Sequence, residues 1–126
     1  MEIIVKNEEG VEVSYKFNLS PKLIHYFIRV LQNIEKRDKD YSGEVLQFDN
    51  YRKVSLASGE SILRTLKIRL ADKLGRLRVL IDKYERDKWP VFAKLLDAFE
   101  DITGYGLTGV YFLEEDKDLE DSNKEA

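Results

Sequence analysis

Residues 58–88 read SGESILRTLKIRLADKLGRLRVLIDKYERDK, and the fold turns on whether this stretch is one helix or two strands. Leu63, Leu70, Leu77 and Tyr84 recur every seven residues, with Leu66, Leu74 and Ile81 at the half-turns. At about 100° per residue these seven fall within roughly 80° of one another, a narrow apolar seam suited to pairing with another helix. Arg69, Lys73, Arg76 and Lys83 run along one flank of the seam, and Arg64, Lys67 and Arg78 along the other. The competing reading is a hairpin. Leu66, Ile68 and Leu70 alternate with Lys67 and Arg69, Leu77, Val79 and Ile81 alternate with Arg78 and Leu80, and 71–75 would form the turn. Abundant Leu, Lys, Arg and Ala with few β-branched residues favour the helix, and Leu74 has no good place in a turn. Gly75 costs that helix about 1 kcal/mol relative to alanine.

Upstream, Glu2 to Lys6 and Val11 to Asn18 read as a hairpin about the Asn7-Glu8-Glu9-Gly10 turn. Val11, Val13, Tyr15 and Phe17 alternate with polar neighbours, which predicts one buried and one wet face. Ser20-Pro21 is a helix start, because the serine caps free amides and proline fits the first helical position. The helix is expected over 21–37, with Ile24, Phe27, Ile28, Leu31 and Ile34 inward. Residues 36–43 read as a polar connection, 44–49 and 52–56 as a second hairpin about Asn50-Tyr51, and Ser58 as the cap of the long helix. Trp89-Pro90 breaks that helix and opens a third, over 90–102. Gly104, Gly106 and Gly109 are expected to end it, GVYFL at 109–113 to form a strand, and the acidic 114–126 to lack structure. The predicted fold class is therefore α+β. A single domain over 1–113 would hold an antiparallel sheet of about five strands, with two or three helices packed on it, one of them long, basic and amphipathic.

The net charge of −3 hides a division: residues 1–51 carry −2, 52–94 carry +7 and 95–126 carry −8. Charged residues make up 36% of the chain against about 25% in ordinary domains. With no cysteine and one methionine, that composition fits a heat-adapted, thermophile protein, and it excludes disulfides and thiolate chemistry. The beginning, MEIIVKNEEG, does not read as a signal peptide, and no run approaches the roughly 18 apolar residues of a membrane span. The expected compartment is the cytoplasm.

Gly104-Tyr105-Gly106-Leu107-Thr108-Gly109 matches G-x-G-x-x-G by letter, but the dinucleotide fingerprint needs a strand before it and a helix after it. His25 is the sole histidine and has no companion at metal-ligand spacing. Asp97, Glu100 and Asp101 lie along one short helix and read as a solvated face sooner than as a cation site. No catalytic residue, metal or cofactor is expected, and no enzyme activity. The strongest lead is the basic set. Phe48, Tyr51, Arg52 and Lys53 are followed by Arg64, Lys67, Arg69, Lys73, Arg76 and Arg78, with Tyr41 and Trp89 as possible extensions. Aromatics that stack on bases beside cations that follow a phosphate backbone are the means of single-strand binding.

The order of parts (hairpin, helix, hairpin, long basic helix, acidic tail) resembles the small archaeal single-stranded DNA-binding proteins of the ThermoDBP family. Two stretches, VLQFDNYRKVSL at 45–56 and ILRTLKIRLADKLGRLRV at 62–79, carry the resemblance. It implies single-stranded DNA held between sheet and helices without sequence preference, and self-association. The expected function is non-catalytic binding of single-stranded DNA or RNA by a homo-oligomer joined through the leucine seam. The alternative is a small protein-interaction module that uses its acidic tail and binds no nucleic acid.

Overall fold

The computed structural model describes the backbone of residues 1–42 and 49–125 and the side chains of 1–37 and 51–124. Among the described residues six elements follow one another: β1 (Glu2–Lys6), β2 (Glu12–Lys16), α1 (Pro21–Ser42), α2 (Asp49–Ser58), α3 (Ile62–Arg86) and α4 (Phe92–Glu125). They group into two compact units, Met1–Asn33 and Ile34–Ala126.

In the first unit, β1 and β2 pair antiparallel with Ile3 opposite Tyr15 and Val5 opposite Val13. Asn7 Oδ1 accepts from the amides of Glu9 and Val11, and Gly10 takes the positive φ of 79° that closes the turn. These two strands are the whole sheet among the described residues, so the expected antiparallel sheet of about five strands is corrected to a largely helical chain carrying one hairpin. Ile24 and Val30 are the buried residues of the first part of α1.

The second unit is helical. Within 58–88 the chain forms one helix, α3, which removes the hairpin alternative for 66–81. Ser61, not Ser58, is its cap: the Ser61 hydroxyl accepts from the Arg64 amide at 3.1 Å. Ser58 instead ends α2, where Gly59 turns at φ 74° and donates to the Ser55 carbonyl. The predicted second hairpin is corrected by α2 from Asp49 onward, while 43–48 lie outside the described residues. The physical reason is visible in the burial. Tyr51, Arg52, Val54 and Ser55 turn inward together, which follows the period of a helix and not the alternation of a strand.

The predicted glycine stop at 104–109, the GVYFL strand and the structureless tail are all replaced by the continuation of α4. Glycine tolerates helical dihedrals at a cost of about 1 kcal/mol, and tertiary contact outweighs it here. A side-chain carbon at Gly104 would sit 3.4 Å from Ile34 Cγ1, so this glycine lets the end of α1 approach closely. The core joins Leu80 of α3 to Leu95 and Ala98 of α4, with Leu77, Ile81, Tyr84 and Val91 packed around them. Much of the leucine seam is thus covered within the chain, leaving Leu63 and Leu74 exposed at its edge. No helix among the described residues is long and apolar enough to cross a membrane.

Candidate functional site

The inward face of α3 is rotated from the leucine seam toward its Arg69–Lys73 flank. Leu66 and Leu80 are buried, and between them on the same face stands Lys73, whose side chain is 19% exposed. A lysine there requires an anion, and α4 supplies Asp101, itself 8% exposed. Lys73 Nζ donates to Asp101 Oδ2 at 2.7 Å, and Arg37 of α1 donates to Oδ1. Burial alone would raise the Asp101 carboxyl; the hydrogen bonds and charges of Lys73 and Arg37 overcome it and hold the group below the ordinary carboxylate range. Arg37 answers in kind: burial would lower it, but Asp101 keeps it above its usual value.

A second cluster pins α2 to α3 and α4. The Arg69 guanidinium lies 4.8 Å from the centre of the half-buried Tyr51 ring, and Tyr51 meets Phe112 edge-on at 6.2 Å. Arg52 lies over Phe112 at 5.2 Å and donates to Glu115 Oε2 at 2.8 Å. Burial raises the Tyr51 phenol above its normal value, although the charge and hydrogen bonding of Arg69 pull the other way. The Tyr51 ring, expected to stack on a base, here meets Arg69 and Phe112.

The ten residues expected to bind nucleic acid therefore separate into distinct places. Tyr51, Arg52 and Arg69 meet in the α2–α3–α4 cluster. Lys73 and Arg76 line a cleft with residues of α1 and α4. At about 100° per residue, Arg64, Lys67 and Arg78 lie roughly 120–180° round α3 from Lys73, on its outer face. Lys53 is exposed on α2, and Phe48 lies outside the described residues, as does the side chain of Tyr41. Trp89 is 75% exposed at the break before α4 and touches Phe92.

The cleft has a volume of about 140 Å3 and is lined by Arg37, Lys73, Arg76, Lys94, Asp97, Ala98 and Asp101. Sequence reasoning placed Asp97 and Asp101 on a solvated helix face and did not connect them with the cations. The spacing along α4 was legible, but nothing in it foretold that Arg37 and Lys73 would reach the same carboxylate. Among the described residues no group of three or more His, Asp or Glu is placed to hold a metal ion. No protein-family model, no curated protein and no solved structure matches the chain.

Proposed function

We propose that this chain is a non-catalytic protein-interaction module that works as a homodimer, with the hairpin of the first unit as its two-fold contact. The observation that carries the reading is the self-complementary edge of β1, which no strand covers among the described residues. EIIVK placed antiparallel to itself about Ile4 sets Glu2 opposite Lys6 of the second copy, Ile3 opposite Val5, and Ile4 opposite Ile4. Opposite charges meet at both ends, and Ile3 and Val5 of both copies extend one apolar face.

The energetics support the same conclusion. Units below about 40 residues rarely hold themselves together without disulfides, metals or association, and a lone two-stranded hairpin is marginal in water. This unit has 33 residues. Val5, Val11, Tyr15 and Phe17 are 49%, 55%, 51% and 39% exposed, so the hairpin's apolar face is largely uncovered.

Sedimentation equilibrium tests the reading. The wild type should have twice the 14.8 kDa of one chain. Ile4→Lys brings two cations face to face at the axis and should give monomers with unchanged helix content. A wild type that stays monomeric at the highest concentration reached ends the proposal.

A second reading, binding of single-stranded DNA or RNA, has one specific support: Arg64, Lys67 and Arg78 form an exposed basic stripe on the outer face of α3. Binding to oligo-dT would then fall steeply with salt, and deletion after Leu113 would strengthen it by removing acidic turns. No binding at 50 mM salt, a low ionic strength chosen to favour it, would end this second reading.

A further inference from the structure

The cleft between the end of α1, the middle of α3 and the start of α4 contains more positive charge than its own carboxylates neutralise. Asp101 is shared by Lys73 and Arg37, so one carboxylate already faces two cations. Arg76 and Lys94 add two more, against Asp97 alone. Among the described residues neither Arg76 nor Lys94 forms an ion pair. Among the described residues, four cations and two carboxylates leave the lining two charges in excess.

We infer that this cleft binds a phosphate-class dianion, either inorganic phosphate or the phosphoryl group of a small phosphomonoester. Charge is the first reason: a dianion matches the excess. Geometry is the second. The buried Asp101 carboxylate holds Lys73 and Arg37 in place before any ligand arrives, so their ordering is not charged to binding. Arg76 and Lys94 stand on separate helices at the same cleft and can close on the remaining oxygens, and arginine presents the forked donors that suit phosphate. The volume of about 140 Å3 is close to the ~150 Å3 cavity that admits a benzene molecule. It therefore suits a compact oxyanion, with any attached group directed outward.

The inference does not depend on dimerisation, because every lining residue belongs to the unit 34–126. The test is isothermal titration of the full chain with inorganic phosphate and with AMP, against sodium chloride matched in ionic strength. Saturable one-site binding of phosphate or AMP is expected, with no such signal from chloride. Arg76→Gln and Lys94→Gln should each weaken it at least five-fold. Asp97→Asn, which removes the opposing carboxylate, should tighten it at least two-fold. Arg64→Gln, on the far face of α3, should leave it unchanged. Three results overturn the inference: no saturable binding by the wild type, equal weakening by Arg64→Gln, or weaker binding by Asp97→Asn. The exposed positions of Arg76, Lys94 and Asp97 keep folding out of the comparison, and the wild-type titration stands without any variant.

Discussion

Replacing Asp101 by asparagine keeps the shape of the side chain and removes its charge. Two cations then lose their anion, and their environments differ. The Lys73 side chain is 19% exposed and sits on the packed face of α3, so most of its desolvation is left uncompensated. The Arg37 side chain is 50% exposed and can turn into water, where an ion pair is worth about 0–1 kcal/mol. Breaking a fully buried pair costs about 3–5 kcal/mol. Discounting that figure for the exposure of Lys73, and allowing for the amide oxygen that remains as an acceptor, gives about 2–3 kcal/mol for Asp101→Asn. Urea unfolding followed by circular dichroism at 222 nm at neutral pH measures it. Asp97→Asn, one turn away and exposed, is the control and should change stability by less than about 0.5 kcal/mol. The acid limb gives an independent check. The folded Asp101 carboxyl lies below its usual value, so its contribution is complete above the unfolded pKa of about 3.9 and disappears as pH falls through the lower folded value. The gap between wild type and Asp101→Asn should therefore be widest near neutrality and shrink at the acid end. A variant as stable as wild type at neutral pH, or a gap that widens on acidification, would refute the reasoning.

Two further substitutions probe the helices. Gly106→Ala and Gly109→Ala place a methyl group where nothing lies within 4 Å, so in a continuous α4 each should stabilise by about 0.5–1 kcal/mol. A loss of stability in urea melts would mean that 104–113 is not helical. Ser61→Ala removes the acceptor for the Arg64 amide and should lower stability by about 1 kcal/mol, whereas Ser58→Ala should not carry that capping loss. The reverse order would return the cap to Ser58.

The hairpin, the start of α1 at Ser20-Pro21, the long helix and its break at Trp89-Pro90 were all legible in the sequence. Each is specified by local chemistry: a turn glycine, a proline that fits only a first turn, and a seven-residue repeat that only a helix can bring to one face. Residues 49–56, DNYRKVSL, were misread as a turn at Asn50-Tyr51 and the strand after it, because the short alternation of 52–56 satisfies either period. What selected helix was contact with residues outside the stretch, such as Tyr51 with Arg69 and Arg52 with Glu115. The glycines of α4 were misread for a related reason. Their local penalty is about 1 kcal/mol each, small beside the packing that a continued helix gains through Phe112 and Thr108, both buried.

The candidate cleft was the least legible part. Lys73 and Arg76 stood in the basic pattern and Asp97 and Asp101 in the acidic one, but charge pattern does not reveal which cations meet which carboxylates. Local chemistry set where helices can begin, and composition made the middle of the chain basic. That Arg37, 64 residues from Asp101, shares its carboxylate with Lys73 followed from the packing of the helices. Local preferences act over a few neighbouring residues, whereas an ion pair forms wherever folding brings its two ends together.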